Sequence, residues 1–225
     1  MCGRVVQARP LDELAEAYDA RPDETARAAL RPRYNVAPTD PLATVVLEPT
    51  GVRRLTAQRW GLLPPTPRRT TNTLINARAE TIRVNPLFRA AVERRRCLVP
   101  VDGFYEWQRL ADRRQPWFIR PVDGGPLTLA GIWAPWGETP DGSVVGTCSI
   151  VTTTPLPEIS WLHDRMPLIL TRDQWAPWLH PGTTSSVIDD VLHAPTTAAL
   201  ETRQVALLVN NVRNDGPELI ASLAG

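Results

Sequence analysis

A chain of 225 residues, 43% hydrophobic and 22% charged, has the balance of an ordinary globular protein and room for one sizeable core. A formal charge of +1 excludes a blanket polycation, so any nucleic-acid binding has to rest on a local cluster of positive side chains. No apolar run is long enough to span a membrane, and the opening Met1-Cys2-Gly3-Arg4-Val5-Val6-Gln7 lacks the apolar stretch of a secretory signal; the cytoplasm is therefore the expected location, nucleoid-associated in a bacterium.

In chain order, β-branched and alternating residues predict a first strand over residues 3–7. A helix over 11–18 follows, with Leu11, Leu14, Ala15 and Tyr18 on one face. Strands are predicted over 42–47 and 52–60, then a helix over 87–95 introduced by Asn85-Pro86, an N-cap followed by a first-turn proline. A series of strands comes next, over 97–101, 104–108, 117–120, 127–133, 144–152 and 167–170. Shorter helices are expected over 172–179 and 186–192, and a last one over 217–223 closes the chain. Strands and helices do not alternate as βαβ units, which predicts an α+β fold with a curved, mostly antiparallel, barrel-like sheet and peripheral helices. The 23 prolines are scattered and no repeat is visible, so residues 1–225 are expected to form one domain.

The three cysteines, Cys2, Cys97 and Cys148, include no C-x-x-C pair, and His163, His180 and His193 show no metal-ligand spacing. Neither a disulfide framework, nor a metal, nor a cofactor is expected. Cys97 and Cys148 lie in strand-like runs and read as small buried core residues.

The chain contains no lysine; all 25 basic residues are arginines. No side-chain amine exists for Schiff-base chemistry, and the only primary amine is the chain terminus. Removal of Met1 ahead of a small second residue leaves an exposed amino-terminal cysteine, a 1,2-aminothiol. Its amine, with a reference pKa of about 7.7–8.0, is partly neutral near physiological pH. Such an amine condenses with an aldehyde to an iminium ion, and the neighbouring thiolate closes a five-membered thiazolidine at high effective concentration.

Met1-Cys2-Gly3-Arg4 is one of a set of ordered motifs. The others are Arg33-Tyr34-Asn35-Val36-Ala37-Pro38, Trp60-Gly61-Leu62, Leu74-Ile75-Asn76-Ala77-Arg78-Ala79-Glu80-Thr81, Cys97-Leu98-Val99-Pro100-Val101-Asp102-Gly103-Phe104-Tyr105-Glu106-Trp107, Ala130-Gly131-Ile132-Trp133, His163-Asp164-Arg165-Met166-Pro167 and Asn210-Asn211-Val212-Arg213-Asn214-Asp215-Gly216-Pro217-Glu218-Leu219-Ile220. Together they resemble the SRAP family, named for SOS response-associated peptidase and associated with abasic-site processing. The resemblance implies a covalent thiazolidine crosslink to the ring-opened aldehyde of an abasic nucleotide in single-stranded DNA, with strand-cleaving lyase and self-processing peptidase activities beside it. It implies Cys2 as nucleophile, Asn76 as the active-site amide, Glu106 and His163 as proton-transfer groups, and Arg4, Arg78 and Arg165 as phosphate contacts. A monomer with no membrane association is expected, with replication-fork proteins as candidate partners besides the DNA.

Read without the resemblance, Glu106 suits a solvated strand position, His163 a structural histidine, Asn76 a turn, and the arginines helix caps or carboxylate pairs. The chain also departs from the family pattern. After Trp60-Gly61, where relatives often carry tryptophans that wedge against bases, it reads Leu62-Leu63-Pro64-Pro65-Thr66-Pro67-Arg68-Arg69, which leaves two alternatives: Arg68 and Arg69 as substitute phosphate contacts, or a loop that binds DNA more weakly. Two rival readings stand beside the covalent one. A non-covalent DNA-binding or modified-base-reading module would leave Cys2 inert. An amino-terminal-nucleophile glutamine amidotransferase shares the Met-Cys-Gly opening but relies on an Asn-Gly pair, which this chain lacks.

Overall fold

The computed structural model describes residues 2–63, 73–138 and 144–223. Strand β1 (Val5–Gln7) leads into helix α1 (Leu11–Tyr18), whose first turn carries Asp12 and Glu13 at the positive end of the helix dipole. α1 stops at Asp19, which takes a left-handed conformation. After β2 (Ala20–Pro22), Asp23 caps α2 (Glu24–Ala29) by accepting from the Ala26 N–H at 2.8 Å. β3 (Arg33–Val36), β4 (Pro41–Leu47), β5 (Arg53–Trp60) and β6 (Asn76–Arg78) follow. α3 (Pro86–Arg94) begins at the Asn85-Pro86 pair, with Asn85 Oδ1 accepting from the Leu87 N–H at 3.0 Å. The middle of the chain is β7 (Arg96–Val101), β8 (Gly103–Arg109), β9 (Arg114–Pro121), β10 (Leu127–Glu138) and β11 (Val144–Thr153). β12 (Met166–Pro167), α4 (Arg172–Leu179), α5 (Ser185–His193) and β13 (Leu200–Gln204) complete the order.

Five strands close on themselves. They pair in the order β5-β4-β7-β10-β11, and β11 returns to β5 through a parallel seam, Gly146 opposite Gln58 to Cys148 opposite Trp60. The ring is antiparallel except at that seam, so the α+β reading with a mostly antiparallel, barrel-like core holds. A second, wholly antiparallel sheet runs β13-β9-β8-β1-β3.

The period-2 alternation of the ring strands sorts their side chains into two sets. Val45, Leu55, Leu98, Ile132 and Val151 pack with Tyr18, Phe88, Trp175 and Trp178 from the helices. Leu42, Trp60, Val99, Leu129 and Ile150 cluster with Val5, Phe104 and Ile119 of the second sheet. Cys97 and Cys148 are buried in that second cluster, as expected of core residues. Each large apolar side chain fully buried this way stabilises the fold by about 1.5–3 kcal/mol.

Two expected elements change form. Residues 167–170 are not one strand: Met166–Pro167 pairs with β11, whereas Ile169 bridges to Leu129 of β10, so the run changes partner after Pro167. The expected helix over 217–223 is a single 3-10 turn, Pro217–Ile220, because the chain then returns to the sheet, the Leu223 N–H donating to the Gln204 carbonyl at 2.9 Å.

Candidate active site

The parallel seam of the ring positions the first site residue. β5 leaves β11 at Gly61, where φ is +126° and the Gly61 N–H donates to the Cys148 carbonyl at 2.8 Å. The chain then rejoins the same edge of β11 as β6, with Asn76 opposite Ile150 and Arg78 opposite Thr152. The Trp60 indole N–H and the Ile150 N–H both donate to the Ile75 carbonyl at 3.0 Å, tying down the residue before Asn76. From there Asn76 Nδ2 donates to the Cys2 carbonyl at 2.8 Å, across 74 residues of sequence. Its Oδ1 is buried and accepts no hydrogen bond among the described residues.

Cys2 itself corrects an expectation. In the chain that carries Met1 its side chain is not exposed; it has no accessible surface and belongs to the apolar cluster between ring and second sheet. That burial raises the thiol far above its ordinary pKa, and the nearby Glu106 charge pushes the same way. A hydrogen bond from the Arg4 backbone N–H to the sulfur pulls weakly in the other direction. The thiol is therefore neutral at physiological pH and needs a base to become nucleophilic.

Glu106 lies on β8 opposite Trp117 of β9. It is 5% exposed, so the solvated-strand alternative fails. Burial raises its carboxyl above the usual carboxylate range, with His163 among the neighbouring groups that oppose the shift. A carboxyl in that state releases its proton at a higher pH than usual, which suits it to give and take one in a reaction.

His163 is partly buried in the loop before β12. Its Nδ1 accepts from the Arg165 N–H at 3.1 Å and lies 2.6 Å from Asp164 Oδ1. The first contact needs Nδ1 bare and the second needs a hydrogen on it, so that nitrogen has a partner in either tautomer.

The three arginines divide. Arg78, at the end of β6, is exposed. Arg165 makes a bidentate pair with Glu80, both contacts at 2.8 Å, and donates to the Thr152 carbonyl at 2.6 Å. It holds the His163 loop against β11. Glu80 is correspondingly shifted below the usual carboxylate range, chiefly by the Arg165 hydrogen bond. Arg4 points inward: Nη1 donates to Asn35 Oδ1 at 2.6 Å and to the Val209 carbonyl at 2.7 Å, and the guanidinium lies 5.6 Å from the Trp107 ring centroid. Arg68 and Arg69 lie outside the described residues.

The SRAP family model, described as SOS response associated peptidase, matches residues 1–212. The chain belongs to the SRAP family. It is 36% identical to the abasic site processing protein YoqW of Bacillus subtilis (strain 168), over 99% of this chain and 100% of that one. It is 30% identical to the abasic site processing protein YedK of Escherichia coli (strain K12), over 98% and 99% of the two chains. A similar fold is seen in a Bacteroides thetaiotaomicron protein, with a TM-score of 0.85, 23% identity, and coverage of 99% of this chain and 100% of that one. A phage-related protein of Bordetella bronchiseptica gives a TM-score of 0.72 at 28% identity, over 91% and 94%.

Within this SRAP chain, Cys2, Asn76, Glu106 and His163 come to one place from four separate segments. Sequence reasoning missed several of their supports. Glu80 and Thr152 hold Arg165, Asn35 holds Arg4, and Trp117 faces Glu106 across the β8–β9 pair. Glu80 and Asn35 sit inside motifs that could have flagged them; Thr152 and Trp117 carry no such signal. A cleft of about 850 Å³ elsewhere, lined by Glu16, Arg53, Pro177 and His180 among others, contains none of the four.

Proposed function

We propose that this SRAP protein processes abasic sites in single-stranded DNA by forming a covalent thiazolidine through Cys2 after Met1 is removed. The observation that carries the reading is the meeting of the Cys2 thiol, a buried carboxyl of raised pKa and a histidine at the amino-terminal end of the chain. The relatives' names support it, being those of abasic site processing proteins.

The chemistry proceeds in two proton-coupled steps. The terminal amine adds to the C1′ aldehyde, and the carbinolamine loses water as Glu106, protonated at a higher pH than an ordinary carboxyl, donates to the departing hydroxyl. The resulting Glu106 carboxylate then accepts the Cys2 proton while sulfur bonds to the iminium carbon. One water leaves in total and Glu106 returns to its starting state. Transferring the thiol proton to Glu106 avoids two adjacent negative charges, a conflict that adds to burial in raising the thiol pKa. Asn76 Nδ2 holds the Cys2 carbonyl while its unpartnered Oδ1 accepts from a sugar hydroxyl. His163 stands beside Glu106 as a second proton-transfer group, and the exposed Arg78 contributes to phosphate binding, whereas Arg165 and Arg4 are held inside the protein by Glu80 and Asn35.

Mature protein mixed with single-stranded DNA bearing one abasic site is expected to give an adduct that survives a denaturing gel. Cys2→Ala should abolish it. An intact wild-type protein that leaves the damaged strand unchanged in mass would sink the proposal. β-Elimination from the iminium would appear on the same gel as a shortened strand, and self-removal of Met1 as a mass change in chain purified without other peptidases. An adduct-free but salt-sensitive complex that survives blocking of the amino terminus would favour the non-covalent module instead.

A further inference from the structure

We infer that Trp161 is a stacking platform for a nucleobase adjoining the abasic nucleotide; this rests on the proposed DNA chemistry at Cys2 and extends it to substrate recognition. Trp161 stands two residues before His163 and is 46% exposed, whereas Trp60 and Trp178 are fully buried. Its ring is nonetheless held in place. The indole N–H donates to the Glu158 carbonyl at 2.9 Å, in the 3-10 turn Pro157–Ile159, and the ring meets Trp117 at 4.9 Å and 88°. Trp117 is directly opposite Glu106 in the β8–β9 register, and opposed residues of an antiparallel pair project from the same sheet face. The aromatic corner made by Trp117 and Trp161 therefore adjoins the carboxyl proposed to move protons.

The charges nearby select what lies on that ring. Glu158 and the exposed Asp164 lie three residues to either side of Trp161 in the sequence, so acidic residues border this turn and the spot suits the uncharged face of a base better than the phosphate backbone. A fixed indole gives stacking without ordering a mobile side chain, and an abasic nucleotide, having no base of its own, offers stacking only through its neighbours.

The test uses the full chain and oligonucleotides carrying a tetrahydrofuran abasic analogue, which binds but cannot form the crosslink. The analogue is flanked by adenines in one strand and by further base-free spacers in the other. Wild type should bind the adenine-flanked strand more tightly, and Trp161→Ala should weaken that binding about tenfold while leaving the spacer-flanked strand unaffected. Trp161→Phe should retain most of the preference, and Trp161→Leu, which fills space without a π face, should lose it. Those two variants carry the contrast if Trp161→Ala does not fold. Trp136→Ala, removing another exposed tryptophan, should bind as wild type. Equal losses on both strands, no loss on either, a wild type indifferent to flanking bases, or the same loss in Trp136→Ala would overturn the inference. Failure of the crosslinking proposal is seen separately, as the absence of an adduct with a true abasic site, and leaves this binding contrast readable.

Discussion

Arg96 and Glu106 are both charged side chains inside the protein, 2% and 5% exposed, and they sit in regions built for different purposes. Arg96 begins β7 beneath the helices. It donates to the carbonyls of Val92 and Glu93 at the end of α3 and to those of Trp178 and His180 at the end of α4. These are the negative ends of two helix dipoles, so one cation satisfies both termini. Burial lowers its pKa to about 10, which still leaves it charged at neutral pH. Glu106 instead faces a thiol and an imidazole, and its charge state is linked to theirs. Burial of a charge does not by itself mark a functional site. A buried ion whose bonds all go to backbone carbonyls belongs to the frame; one surrounded by other titratable groups can move protons.

The sharpest way to break this contrast is to exchange the expected effects. Arg96→Met leaves the carbonyl ends of two helices without their donor and should destabilise the protein by about 3 kcal/mol in denaturant unfolding. Its rate of adduct formation per folded molecule should match wild type; a fall in that rate with stability intact would place Arg96 in the chemistry.

Glu106→Gln should do the reverse. Stability at neutral pH should hold or rise, because a buried ionisable group is removed, while adduct formation in a quenched gel time course slows about a hundredfold. The pH dependence sharpens this. With its folded pKa above the unfolded value, Glu106 binds its proton more tightly in the folded chain. Its contribution is fully present below the unfolded carboxylate pKa and is lost as pH rises through the folded one. The Tm of wild type minus that of Glu106→Gln should therefore decline across that interval and level off above it. A difference independent of pH would contradict the burial argument.

Tyr18→Phe has the smallest expected effect. It keeps the ring stacked on Trp175 at 4.6 Å but loses the Tyr18–Thr128 hydroxyl hydrogen bond of 2.7 Å, costing about 1 kcal/mol with no change in adduct rate. A change in adduct rate would mean that the helical side communicates with Cys2.

The helices over 11–18 and 172–179 are legible to the residue, because the residues that pattern and bound them are local in sequence. The long ring strands are legible for the same reason. β3, β6 and β13 are not: β6 has three residues and is a strand only because β11 offers a parallel edge, and β13 is a polar strand laid against β9. The motif order identifies the family and names Cys2, Asn76, Glu106 and His163. Neither spacing nor periodicity could assemble them, since they are joined by contacts between segments as much as 161 residues apart.

The amino-acid sequence alone determined that no side-chain amine is available for Schiff-base chemistry, because all 25 basic residues are arginines, and that a thiol follows Met1 at Cys2. Only the tertiary structure decided that this thiol is buried, that the carboxyl beside it holds its proton unusually well, and that Arg4 and Arg165 are bound within the protein while Arg78 is open to solvent. The physical reason is that pKa and accessibility depend on what surrounds a group in space, and here those surroundings come from closing β11 onto β5 and packing a second sheet over the ring.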